Sequence, residues 1–221
     1  MRTNINMKKQ LSLSTLRNEY SLMELNEQEI HKNPIKQFHE WMEQALTAKI
    51  HEPTAMTLAT VSPKGKPSAR IVLLKEFSPA GFVFFTNYKS KKGTEILENP
   101  NVALLFHWIE LERQVRIEGK VKKISREESL LYFHSRPRGS QLGALVSQQS
   151  SIIHGRKELE NTLSELEEKY KGKPIPLPPY WGGYCVKPLY IEFWQGRKNR
   201  LHDRIAYTKK NNNWKIQRLS P

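Results

Sequence analysis

The chain of 221 residues has a single cysteine, Cys185. That excludes an internal disulfide and fits a reducing compartment, so we expect a cytoplasmic protein. Long apolar runs are also missing. None approaches the roughly 20 residues needed to span a bilayer, and the opening MRTNINMKKQLSLSTLRNEY has no apolar core of signal-peptide length. Acidic residues are few, with 22 Asp and Glu against 36 Lys and Arg, which leaves a net charge of +14. Such a balance favours an anionic partner: nucleic acid, an acidic membrane or a phosphorylated small molecule. The seven histidines, at 31, 39, 51, 107, 134, 154 and 202, form neither HExxH nor a Cys/His zinc spacing, so no metal is expected. Neither GxGxxG nor GxxxxGKS/T occurs, strands and helices do not alternate, and no internal repeat is visible. Parallel dinucleotide and nucleoside-triphosphate folds therefore lack their usual support.

What is present suits a soluble globular protein: 38% hydrophobic and 26% charged residues. The length allows one sizeable core or at most two small ones. The first thirty residues are weakly patterned and read as a loose arm, with a short helix near Leu13 to Leu25. In NPIKQFHEWMEQALTAK, Asn33 can cap and Pro34 suits the first turn. Ile35, Phe38, Met42, Ala45 and Leu46 then make an apolar stripe. Strands follow at TAMTLATV (54–61), SARIVLLKEF (68–77) and FVFFTN (82–87), with the look of a meander. After a short helix in SKKGTEILENP come NVALLFHWI (101–109) and RQVRIEGKVKKI (113–124). In the second of these Val115, Ile117 and Val121 share one face. Ser125 and Glu128 spell a capping box for a helix that must end or kink before Pro137. A short helix over 140–147, an amphipathic helix over 155–171 and a Pro-rich connection lead to the last strands. We expect a mainly β protein, with a six-stranded antiparallel barrel-like sheet and peripheral helices, as one domain over 31–221 behind the arm of 1–30.

Four segments concentrate charge. RIVLLK places Arg70 and Lys75 on opposite faces of a regular strand. They serve one site only if the strand ends or bulges between them, and are otherwise snorkelling edge residues. In TNYKSKKG, Lys91 and Lys92 fall at a helix start, the end an anion prefers; the plain alternative is a solvated turn. YFHSRPRGSQ puts Tyr132 and Arg136 four apart, with Arg138 and Ser140 close behind, a set that can receive phosphate or form a surface turn. In WQGRKNRLHDR, Arg200, His202 and Arg204 alternate. An extended chain points all three one way, and Asp203 the other.

Of these, RIVLLK, YFHSRPRGSQ and RLHDR occur together with LRNEY, LERQVRIEG, VSQQSS, WGG and IEFWQG, in an order and spacing that resembles the pyridoxine/pyridoxamine 5'-phosphate oxidase family over almost the whole chain. The resemblance implies an FMN-binding split β-barrel working as a homodimer with FMN at its interface. It implies oxidation of pyridoxine or pyridoxamine 5'-phosphate by O2 to pyridoxal 5'-phosphate, with release of hydrogen peroxide, and ammonia from the amine. By motif match, FMN falls to Arg70, Ile71, Val72, Leu73, Leu74, Lys75, Phe85, Thr86, Lys91, Lys92, Gln114, Gln149, Ser150, Trp194 and Arg204. Substrate falls to Arg17, Asn18, Glu19, Tyr20, Lys75, Tyr132, Arg136, Ser140, Arg200, Leu201 and His202. Arg200 and His202 are implied to act over the pyridine ring. Phe85 stands where many members have Tyr, and Lys91 where Arg is usual, which gives up the guanidinium fork.

Two rival readings predict different residues. A split-barrel flavin protein with another substrate leaves YFHSRPRGS and RLHDR unexplained. A basic RNA-binding barrel requires aromatics interleaved with cations on a sheet face. Phe82, Phe84, Phe85 and Phe106 instead lie in apolar strands and read as core, so neither nucleic acid nor membrane is expected as a partner.

Overall fold

The computed structural model describes residues 18–221. Arg17 and the start of the helix expected near Leu13 lie outside the described residues. From Asn18 to Leu25 the backbone is not helical. The chain then forms α1 (Pro34–Thr47), β1 (Ala55–Val61), β2 (Pro67–Leu73), β3 (Glu76–Ser78), β4 (Gly81–Asn87), α2 (Lys91–Glu98), β5 (Asn101–Trp108) and β6 (Arg113–Lys123). Three helices follow, α3 (Arg126–Ser135), α4 (Arg138–Val146) and α5 (Arg156–Lys169), and then β7 (Trp181–Gln195), β8 (Asp203–Lys210) and β9 (Asn213–Arg218).

All the strands join one antiparallel sheet in the order β2-β1-β5-β6-β7-β4-β3, with β8 on β7 and β9 on β8. Among the described residues the strands number nine, where six were expected, partly because SARIVLLKEF is two strands. Leu74 drops its side chain into the core and donates its N–H to Thr54 O, which ends β2 before Lys75. The meander also breaks there: β2 lies at one edge of the sheet, while the β3–β4 hairpin lies at the other. Non-local pairing decided this, because β4 finds its partner in β7, about a hundred residues on.

The sheet curls around α1, a half-barrel closed by a helix. Asn33 caps α1 by accepting the Ile35 N–H, as its position suggested. Phe38 shows why the helix sits inside the curl. Its ring meets Phe77 at 4.9 Å, Phe82 at 5.0 Å and Phe106 at 5.1 Å, all edge-on, and these belong to β3, β4 and β5. Burying each such side chain contributes roughly 1.5–3 kcal/mol. Trp41 joins the buried stripe, whereas Leu46, expected there, is exposed. Val115, Ile117 and Val121 face this core as their alternation required. Between Glu118 and Gly119 the β6–β7 register shifts, a bulge that bends the pair.

A second, smaller core lies among α3, α4, α5 and the Pro-rich connection, centred on Phe133, Leu142, Ile175 and Trp181. The capping box of α3 is complete: Ser125 and Glu128 satisfy each other's backbone N–H. Three basic or His side chains from α3 and α4 tie the connection down. Arg126 donates to the carbonyls of Leu177, Pro178 and Trp181, Arg138 to those of Tyr170 and Lys173, and the His134 ring bonds Ile175 O. Arg138 is therefore occupied away from Arg136, contrary to the grouping expected in YFHSRPRGSQ.

The segment before α1, expected as a loose arm, is held where it is described. Ser21 and Leu22 N–H donate to Glu112, Leu25 N–H donates to Asp203, Glu24 pairs with Arg197, and Glu27 pairs with Arg218. Among the described residues no helix is long and apolar enough to cross a membrane.

Candidate active site

A cavity of about 830 Å³ opens between β2, β4, the start of β7 and helices α2 to α4. That is the size of a site for a cofactor-sized ligand. Among the described residues four cations line it, Arg70, Lys75, Lys92 and Arg136, and no carboxylate does. The break after Leu73 is what lets Arg70 and Lys75 reach the same cavity, since an unbroken strand would point them apart.

One end is built on α2. Ser90 caps the helix by accepting the Gly93 N–H, and Lys92 lies in its first turn with its side chain turned inward and buried. Its ammonium donates to Gln149 Oε1 at 2.9 Å and lies 3.4 Å from Thr86 Oγ1, while Thr86 also donates to Gln149. These partners are neutral. Burial, and then the nearby charge of Arg70, push the Lys92 pKa below the ordinary lysine value. A cation that has lost water and gained only neutral partners is a poised receptor for an anion.

The other end is built where α3 stops. Arg136 ends the helix, and its guanidinium lies 4.7 Å from the centre of the Trp181 ring. Its Nη1 is buried and is without a hydrogen-bond partner among the described residues. Burial lowers the Arg136 pKa, against the opposing effect of Tyr132. Tyr132 stacks on Phe85 at 3.9 Å, so that ring faces the cavity while Phe82, Phe84 and Phe106 stay in the core. Gly183 makes this packing possible, because a Cβ there would stand 2.9 Å from Phe85 and 2.4 Å from Ile124.

The cavity thus gathers Arg70, Ile71, Val72, Leu73, Lys75, Phe85, Thr86, Lys92, Tyr132, Arg136, Ser140 and Gln149 from the residues singled out in the sequence. Leu74 is a core residue and does not line it. Lys91 and Ser150 line a smaller cavity of about 290 Å³ that shares Gln149, and Ser150 Oγ accepts the Lys91 N–H there. Asn87, Pro137, Gly143, Ala144, Ser147 and Trp181 also line the large cavity, with no role assigned to them from sequence. Trp181 stood inside the quoted WGG, and Asn87 directly follows Thr86; the small residues of α4 carried no signal.

The remaining residues form a second group at the far end of β7. Gln114, Trp194 and Arg204 are direct neighbours across β6, β7 and β8 and so share a face. The His202 ring lies 4.5 Å from Trp194, and Tyr20 meets both rings edge-on. Gly196 admits Tyr20, since a Cβ would stand 2.8 Å from its side chain. Arg197 N–H donates to His202 Nδ1, and burial followed by the charge of Arg200 lowers the His202 pKa. The expected alternation fails at Arg200: residues 198–200 form a tight turn in which Asn199 and Arg200 both take positive φ, 55° and 61°, and the strand starts only at Asp203. Arg200 and Leu201 are exposed, as are Asn18 and Glu19. Arg204 is held by buried Glu192 at 2.8 Å. Trp181 and Trp194 stand at opposite ends of β7, on the order of 40 Å apart along the strand, and none of this second group lines the large cavity.

A curled, antiparallel half-barrel with a cationic, aromatic-walled cavity defines the split-barrel class of fold. Comparison with known proteins agrees. The family described as "Pyridoxamine 5'-phosphate oxidase" matches residues 42–170, and "Pyridoxine 5'-phosphate oxidase C-terminal dimerisation region" matches residues 181–221. The "Pyridoxine/pyridoxamine 5'-phosphate oxidase" of Cyanothece sp. is 55% identical over 211 residues, covering 96% of this chain and 99% of that protein. Its counterpart in Rubrobacter xylanophilus is 56% identical over 209 residues, covering 95% and 96%. Among solved structures, PhzG from Burkholderia lata in complex with tetrahydrophenazine-1-carboxylic acid superposes with a TM-score of 0.84 at 29% identity, covering 88% of this chain and 95% of that one. A pyridoxamine 5'-phosphate oxidase-related, FMN-binding protein from Nostoc punctiforme shares the fold, with a TM-score of 0.68 at 17% identity over 83% and 97%. The chain belongs to the pyridoxine/pyridoxamine 5'-phosphate oxidase family, a family of oxidoreductases.

Proposed function

We propose that the protein oxidises pyridoxine 5'-phosphate and pyridoxamine 5'-phosphate to pyridoxal 5'-phosphate with FMN as cofactor, as a homodimer. The observation that carries this reading is a cavity lined by no carboxylate among the described residues, with a cation at each of two separate points: buried Lys92, whose partners are neutral, and half-buried Arg136, whose buried Nη1 has no partner among those residues. Two phosphorylated molecules, a flavin nucleotide and a B6 vitamer, need two anion receptors. Bound FMN would supply a two-electron oxidation at the substrate C4', with O2 as the final acceptor reduced to hydrogen peroxide; for the amine substrate, hydrolysis of the oxidised carbon–nitrogen bond would release ammonia.

In this reading Lys92, Arg70, Thr86 and Gln149 hold the cofactor phosphate, with Lys91 and Ser150 at the adjoining rim. The backbone of 71–74 and Phe85 run beside the cofactor. Arg136, Tyr132, Ser140 and Lys75 hold the substrate phosphate, and their task is orientation. Flavin absorbance at one FMN per chain, with peroxide formed from pyridoxine phosphate and O2, is the expected result; colourless protein that takes up no added FMN would sink it. Cys185 as the only thiol supports a reducing, cytoplasmic setting.

The split of the site residues between the two ends of β7 supports a shared site, in which Gln114, Trp194, Arg200, Leu201, His202 and Arg204 of one subunit complete the cavity of the other, with Tyr20 and its neighbours over it. Light scattering should then give a dimer of about 52 kDa, twice the 25.9 kDa chain. A monomer that holds stoichiometric FMN would refute the sharing. Arg200→Ala should lower kcat/KM by about tenfold or more with FMN still bound, and His202→Ala less, because both act on orientation of the ring. Anaerobic flavin reduction by stopped flow isolates that step, and wild-type rates and affinity in both variants would make this stretch scaffold.

A further inference from the structure

We propose that Glu95 is a positioning residue for the cofactor end of the cavity: it fixes the Arg70 guanidinium so that its one remaining donor meets the ligand's phosphate. The proposal rests on the reading of this cavity as the FMN site. Glu95 lies on α2 one turn after Lys91 and Lys92 and is buried at 6% exposure behind Arg70; it does not line the large cavity but borders the smaller one beside Lys91 and Ser150. Its Oε2 accepts from Thr60 Oγ1 at 2.5 Å and from Ser68 Oγ at 2.6 Å, and lies 3.4 Å from Arg70 Nη2.

The same two hydroxyls accept from Arg70, Thr60 from Nη1 and Ser68 from Nη2, each at 2.6 Å. Thr60 and Ser68 are direct cross-strand neighbours on β1 and β2. The result is a closed relay in which each hydroxyl accepts from the guanidinium and donates to the carboxylate. Nη1 also donates to Leu58 O and Ser68 O. The terminal nitrogens are thus taken up, and among the described residues the Nε–H is the donor left for a ligand. Burial by itself would raise the Glu95 carboxyl, but the Ser68 and Thr60 hydrogen bonds and the charges of Arg70 and Lys91 outweigh it, so the net shift is downward and the group is charged at neutral pH.

A carboxylate so near a phosphate receptor has two opposed effects. Acting through space it repels the ligand, and its removal would tighten binding. Acting through Arg70 it orders a long side chain in advance, and its removal loosens binding. The sign separates the two. FMN is titrated into apo-protein of wild type, Glu95→Ala, Arg70→Ala and the double variant. Glu95→Ala should weaken FMN by about tenfold or more when Arg70 is present, and by less than about twofold in the Arg70→Ala background. Glu95→Gln, which keeps an oxygen for the two hydroxyls, should fall between wild type and Glu95→Ala. Unchanged or tighter binding in Glu95→Ala, or an equal loss in both backgrounds, would overturn the positioning role. If Glu95→Ala does not fold, Thr60→Val, which cuts the relay at one hydroxyl, takes its place in the same cycle with the same criteria. Wild-type protein that binds no FMN would sink the flavin reading, and this proposal with it; FMN binding that ignores Glu95 would sink the positioning role alone.

Discussion

Replacing Lys92 with alanine is expected to weaken FMN by about ten- to hundredfold, the effect of losing one charged hydrogen bond of roughly 1.5–3 kcal/mol. Among the described residues the side chain has no counter-ion to compensate its burial: its hydrogen-bond partners are Gln149 and Thr86, both neutral, and the like charge of Arg70 acts against it. An arriving phosphate supplies the missing partner, so most of the stabilisation appears only in the complex. Fluorescence quenching on titrating apo-protein with FMN measures the change, and substrate affinity of the FMN-saturated variant should move far less. An unchanged dissociation constant would remove Lys92 from the cofactor site.

Arg136→Ala should raise KM for pyridoxine phosphate by about tenfold or more and leave FMN content near that of the wild type. Here the reason is an orphaned donor. Nη1 is buried without an acceptor among the described residues, a condition that costs the folded protein free energy until a ligand oxygen arrives. Because binding at a remote phosphate also supports the chemical step, kcat should fall as well. Arg136→Lys should recover only part of the loss, since it keeps the charge but neither the fork nor the guanidinium's place over the Trp181 ring. Steady-state kinetics on flavin-saturated enzyme decide it. A normal KM with lost flavin would mean that the two ends of the cavity hold each other's ligands.

Local rules account for the elements that could be read from sequence. Asn33 and Pro34 open α1, Ser125 and Glu128 cap α3, and the alternation around Val115, Ile117 and Val121 sets the buried face of β6. These signals span a few residues, and the physics that produces them is equally short in range. The misreadings have the opposite character. The run SARIVLLKEF reads as one strand because nothing in ten residues tells that Leu74 will turn inward and that β3 will pair with β4 at the far edge. Arg200 and His202 alternate in the sequence, yet a tight turn with Asn199 and Arg200 at positive φ removes the extended geometry that alternation assumes.

Charge and residue type belong to the chain itself. The excess of cations, the single thiol and the order of motifs from RIVLLK to RLHDR were sufficient to name the family and to bring most of the cavity-lining residues forward. Which of those cations stand together is a different kind of fact. Lys92 and Arg136 are 44 positions apart, and only the pairing of β4 with β7 sets Trp181 beneath one of them and Phe85 beside Tyr132. Arg138 looked equivalent to Arg136 and is committed instead to carbonyls at the end of α5. Glu95, absent from every motif, is tied to Arg70 by two hydroxyls that a β-hairpin sets side by side. The division of the site residues between the two ends of β7 is likewise a tertiary fact. Side-chain chemistry is a property of each residue. Desolvation, the loss or gain of partners and the distance between like charges depend on the packed surroundings, and these exist only once the sheet has closed around α1.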